Sequence, residues 1–206
     1  MFVRLKTHLM AALTLVLLSS SLVSANTSEA VLKIERFNET LRTILENSQS
    51  LKFNGRYETL APVMLDSFDM NFMAKFSAGK HWRSLTPDNQ KRLVKAFSRL
   101  WISTYADRFV GYNGERFEIK SSVKAPRNTL LVKTHIIKKS GKKTAIDYLM
   151  REKADTWSVI DIFLKGRFSE LAKQRAEYTS ILKREGIEGV VTIVEDKVRQ
   201  MQERGN

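Results

Sequence analysis

From Thr86 to Phe109 the apolar positions Leu93, Phe97, Leu100, Trp101, Tyr105 and Phe109 recur at three- and four-residue steps. Lys91, Arg92, Lys95, Arg99 and Arg108 fall mostly between them. That period predicts an amphipathic helix. Thr86 is its expected N-cap. Pro87 fits the first helical position because its missing N–H would be unpaired anyway, and Asp88 suits the positive end of the helix dipole. An aromatic stripe of this size has to lie against an equally apolar surface, either a filled core or a cavity for an apolar ligand.

Three shorter helical patterns precede it. Val31, Ile34, Phe37, Leu41, Ile44 and Leu45 set helical spacing over Ser28–Asn47, with Ser28 as the expected cap. Arg56–Ser67 follows the Asn54-Gly55 break, with Pro62 kinking it or lying near its start. Phe68–Lys80 is dense in Phe and Met and reads as a short helix capped by Asp69 and ended by Gly79. Such a segment is core, or a wall facing flexible apolar ligands.

After Phe109 the period falls to two. Arg116–Val123, Thr129–Lys138 and Thr144–Arg151 alternate as half-buried strands, with a Lys138–Lys143 hairpin tip. Trp157–Leu164 is apolar on both faces, as a central covered strand would be. Short turns between sequential strands make an antiparallel meander. Helical spacing returns over Ser169–Arg184 and Ile187–Gln202, separated at Gly186. The expected fold class is α+β, one domain with helices packed on a curved antiparallel sheet.

Charge and the N-terminus change this picture. The 206 residues carry a formal net charge of +13 and no cysteine. That rules out disulfides, thiol catalysis and a Cys-ligated zinc. Arg4 and Lys6 precede an apolar run, Leu9–Leu18, and Val23-Ser24-Ala25 follows. This is the layout of a secretory signal peptide over residues 1–25, an uncleaved anchor being the alternative. Its removal takes away only two charges, leaving +11 on residues 26–206. Export and the scattering of basic residues along helix faces argue against nucleic acid as partner. The KKSGKK tip is either a solvated hairpin end or a contact for an anionic membrane surface.

Catalytic candidates are few. His8 leaves with the leader, His81 stands alone in a connection, and His135 shares the less apolar face of its strand with Lys133, where a solvated histidine is expected. Asp147 and Asp161 lie on neighbouring strands inside apolar runs. They are structural hydrogen-bonding groups or, in an enzyme acting on a small apolar substrate, an acid/base pair.

The segment HWRSLTPDNQKRLVKAFSRLWISTYADRF resembles the Trp, Leu-Thr-Pro and Gln pattern of the MlaC family, the toluene-tolerance auxiliary proteins. Trp157, Asp161, Gly166, Ser169, Arg175, Tyr178 and Gly186 fall on further positions of that pattern, and the likeness spans Phe68–Val198. At Lys165-Gly166-Arg167-Phe168-Ser169 the chain is longer and more basic than most members. There it is similar to the HpnM branch associated with hopanoids.

The resemblance implies an NTF2-like pocket in a periplasmic carrier of phospholipid or a related lipid. It also implies partners in an inner-membrane ABC transporter complex and an outer-membrane lipoprotein complex, with no cofactor beyond the bound lipid and no metal. The lining expected on the stripes between helices and sheet is Met70, Phe72, Phe76, Leu93, Phe97, Trp101, Tyr105, Val132, Ile136, Ile146, Tyr148, Met150, Ile162, Leu164 and Phe168. A scaffold whose stripes are simply core is the remaining alternative.

Overall fold

A computed structural model describes residues 17–205. The basic start of the leader and most of its apolar run, residues 1–16, lie outside the described residues. Among the described residues no helix is long and apolar enough to cross a membrane.

Helix α1 (Leu17–Glu46) runs through Ser28, so the helix does not begin there. No Gly or Pro interrupts this stretch, so nothing local stops the helix there. Helix α2 (Ser48–Ser67) contains one non-helical residue, Lys52 (φ 51°, ψ −170°). The break expected at Asn54-Gly55 thus falls earlier. Gly55 is helical and lets Leu51 close over it; a Cβ there would lie 3.2 Å from two Leu51 side-chain atoms. Pro62 sits well inside the helix rather than near its start.

The capping expectations for the next two helices hold. Asp69 accepts from the Phe72 N–H at 2.9 Å at the start of α3 (Met70–Ala78), and Gly79 (φ 57°) ends it. A 3₁₀ segment, Gly79–Ser84, leads to α4 (Pro87–Arg108), where Thr86 Oγ1 accepts from Asn89 N–H at 3.3 Å.

Strands β1 (Arg116–Ala125), β2 (Thr129–Ile137), β3 (Lys143–Lys153), β4 (Thr156–Leu164) and the two-residue β5 (Phe168–Ser169) form one open antiparallel meander in chain order. Bulges at Ile119/Ser121 in β1 and opposite Leu149/Met150 in β4 bend the sheet. β4 is covered as expected, though it is not central. β5 pairs with its end, and Phe68 bridges to Val159 with Asp69 N–H donating to the Val159 carbonyl at 3.0 Å. That short crossing closes the free edge of the strand.

Helix α5 (Glu170–Gly205) is interrupted at Gly186 (φ 65°). Lys197 is ion-paired with Glu177, 20 residues earlier. A straight helix would separate them by about 30 Å, so the two halves of α5 lie side by side.

One face of the sheet is apolar, and α1 is laid across it. Ile34, Phe37, Leu41 and Ile44 of α1 are fully buried. The Phe37 ring meets Phe68, Tyr105 and Tyr148 edge-on, with centroids 5.2, 5.5 and 6.0 Å away. Two buried cations stitch the helices together. Lys33 Nζ donates to the Asp66 carbonyl at 3.0 Å, and Arg56, 2% exposed, donates from Nε to Ala106 O (2.7 Å) and from Nη1 to Ser48 O (2.9 Å). Arg56→Ala strands both carbonyls and opens a void, and should lower unfolding stability by about 3 kcal/mol in chemical denaturation. Arg56→Lys should recover only part, because one ammonium cannot replace a two-pronged guanidinium.

Candidate functional site

The sheet register sets which side chains share the inner face. Val132, Tyr148 and Ile162 are cross-strand partners in one row, Leu130, Met150 and Val159 in the next, and Thr134, Ile146 and Leu164 in a third. The α4 stripe faces this surface. Phe97 stacks on Trp101 at 5.5 Å and meets Tyr178 of α5 edge-on at 6.1 Å.

Of the fifteen expected lining residues, Met70, Leu93, Phe97, Val132, Tyr148 and Met150 are buried in the closed core. Trp101, Tyr105, Ile162 and Leu164 come together, with Leu100, Thr104 and Met201, around a cavity of about 370 Å³ between α4, β4 and α5. Its rim is polar: the charged Asp107, Arg108, Glu170, Lys173, Glu177 and Lys197, and the neutral Gln174. Arg108–Glu170 (3.9 Å), Glu177–Lys197 and Asp107–Arg204 (3.0 Å) tie the rim. Ile136 and Ile146 are half-buried farther along the sheet. Phe168 is 53% exposed, with the Arg167 guanidinium 4.8 Å over its ring. It projects past the end of the packed face, because β5 is only two residues long.

Phe72 and Phe76 lie elsewhere, in an open cleft of about 1070 Å³ formed by α3, the 3₁₀ segment, the end of β3 and the first half of α5. The cleft is lined by Asp69, Asn71, Phe72, Lys75, Phe76, Gly79, Lys80, Trp82, Arg83, Arg151, Glu152, Lys153 and Arg175. Nothing in the apolar periodicity marked this cleft. The signal for it was the cationic residues flanking the aromatic run.

The polar groups of the core are structural in their contacts. Tyr105 and Tyr148 are hydrogen-bonded to each other, and burial pushes both phenols above their ordinary pKa. Asp161 accepts from Ile162 N–H (2.7 Å), Leu171 N–H (3.1 Å) and Ser169 O–H (2.6 Å), and so anchors the start of α5 to β4. Burial raises its carboxyl above the usual range, against the pull of these three donors. Asp147 is buried on the outer face, beside Lys133 and Phe163 in register, with Thr134 N–H 3.4 Å from Oδ1. Neither carboxylate faces the cavity. His135 is half-buried on that outer face rather than fully solvated, and its Nδ1 is covered. His81 lies half-buried in the 3₁₀ segment.

The MlaC protein family model matches residues 35–196, from the first buried turns of α1 to the second half of α5. The chain belongs to the MlaC family. Its fold is similar to that of a Ralstonia solanacearum phospholipid-binding protein solved in complex with a phospholipid. The TM-score is 0.72 at 19% identity, covering 84% of this chain and 98% of that one. Among curated proteins, none matches in sequence.

The residues that carried the resemblance hold the junction between sheet and helices in this MlaC-family chain. Trp157 and Tyr178 are buried, Asp161 and Ser169 form the α5 anchor, Gly186 breaks α5, and the Arg175 guanidinium lies 4.7 Å over Phe76. Asp161→Ala should cost about 1–3 kcal/mol in urea unfolding by leaving two backbone donors unpaired. Phe97→Ala should cost about 3–5 kcal/mol, as a core truncation does.

Proposed function

We propose that this MlaC-family chain is a lipid carrier that takes acyl or other hydrocarbon tails into the cavity between α4, β4 and α5. The observation that carries this reading is the composition of that cavity: Trp101, Tyr105, Ile162 and Leu164 as an apolar floor, with a rim on which Arg108–Glu170 and Glu177–Lys197 are ion-paired. Its volume lies toward the lower end of small-molecule sites, about 300–1,000 Å³. Transferring a tail of about 16 carbons from water gains on the order of 12 kcal/mol gross at ~0.8 kcal/mol per methylene. A site of this kind needs no catalytic group. The outward placement of Asp147 and the use of Asp161 as a helix anchor support a binder over an enzyme.

The ligand class is a lipid, phospholipid or hopanoid. The long basic Lys165–Ser169 junction favours the hopanoid-associated branch. The leader over residues 1–25 and the family point to the periplasm. They also point to exchange with an inner-membrane ABC transporter complex and an outer-membrane lipoprotein complex. Parting Glu177–Lys197 and Arg108–Glu170 would open the way in, and a lipid held by its tails leaves slowly unless a partner opens that way.

Mass spectrometry of protein purified gently from its native envelope should show a co-purifying lipid. Leu164→Trp and Thr104→Trp, which fill the cavity from two sides, should lower lipid uptake without lowering stability. A protein that carries no lipid and takes up none when it is offered would overturn the carrier reading.

A further inference from the structure

The cleft against α3 lies apart from the tail cavity. Arg175 points to the cleft, while its helical neighbours Lys173, Gln174 and Glu177 line the cavity on the other side of α5. Six cations, Lys75, Lys80, Arg83, Arg151, Lys153 and Arg175, meet there with two carboxylates, Asp69 and Glu152. Of these six, Arg151 is ion-paired to Asp69 at 3.0 Å.

Two of the guanidiniums lie over aromatic rings, Arg151 4.1 Å from the Phe72 centroid and Arg175 4.7 Å from that of Phe76. Stacking fixes the plane of a guanidinium and leaves its N–H edge free, the arrangement that suits a two-pronged contact with phosphate oxygens. Phe72 and Phe76 stand 6.2 Å apart, and Phe76 is 36% exposed. Phe72, Phe76 and Trp82 therefore give the cleft an apolar wall beside its charge.

We infer that this cleft binds the phosphate-bearing headgroup of an anionic phospholipid in a membrane surface. The guanidinium edge of Arg175 meets the phosphate, Arg151, whose Nη2 donates to Asp69, supplies the field with the neighbouring lysines, and the rings contact the glycerol and first methylenes. Charge complementarity selects the occupant, because a concavity with six cations against two carboxylates concentrates anions, and the aromatic wall selects an amphiphile among them. The site takes its choice of ligand from the carrier reading but is separate from the tail cavity. It would let the protein sit on an anionic leaflet with the cavity mouth free.

The test is flotation of the full mature chain with vesicles of phosphatidylcholine alone and of phosphatidylcholine with phosphatidylglycerol. Lys75→Gln/Arg175→Gln alters two exposed cleft residues, and Lys139→Gln/Lys142→Gln removes the same charge from the β2–β3 tip. Binding to the anionic vesicles should fall about 25-fold in the cleft variant, the value of two surface charges, and much less in the tip variant. Uptake of a fluorescent lipid into the tail cavity should be unchanged in both.

Equal losses in the two variants, loss in the tip variant alone, or no preference of the wild type for anionic vesicles would overturn the cleft site. Arg175-dependent flotation of a protein that takes up no lipid would leave the site standing and remove the carrier reading instead.

Discussion

The apolar inner face of the sheet has to be covered, and the contact that covers it centres on one side chain. Phe37 of α1 meets Phe68, Tyr105 and Tyr148 edge-on, so one ring joins the first helix, the α2–α3 junction, α4 and β3. Such ring pairs contribute about 0.5–1.5 kcal/mol each beyond the area they bury. Because α1 occupies the middle of the face, the space left for a ligand is displaced toward β4 and α5. The cavity lies where α4 and the folded-back α5 fail to close completely over the sheet.

That displacement explains what the sequence could and could not show. The α4 stripe, the period-two strands and the caps Thr86, Asp69 and Gly79 are local signals, and each is found where its chemistry places it. The fold class followed from their order. The division of the α4 stripe between packing and cavity is not local. Phe97 and Trp101 are one turn apart on the same stripe, yet Phe97 is sealed by Tyr178 and Trp101 borders open space, because the path of α5 decides it. The buried pairing of Arg56 with two carbonyls was equally illegible, since its partners come from the ends of other helices. Ser28 carried plausible capping chemistry that the helix running through it overrides, and the break expected at Asn54-Gly55 falls instead at Lys52.

Polar chemistry in the molecule is separated by face. Inside, the Tyr105 and Tyr148 hydroxyls bond each other, and the Asp161 carboxylate accepts from two backbone N–H groups and from Ser169. Outside, six cations gather in the cleft beside α3, two of them over aromatic rings. An apolar cavity with a polar rim and a cationic, ring-lined concavity on the other side of α5 together suit a molecule that carries hydrocarbon and visits anionic surfaces.

The central claim is that tails occupy the space between α4, β4 and α5. Loading the protein with a phospholipid bearing a diazirine at the end of one tail, irradiating it and mapping the adducts by peptide mass spectrometry tests this directly. The account predicts labelling at Trp101, Tyr105, Ile162 and Leu164. Labelling confined to Phe72, Phe76 and Trp82 would place the tails in the cationic cleft and contradict it.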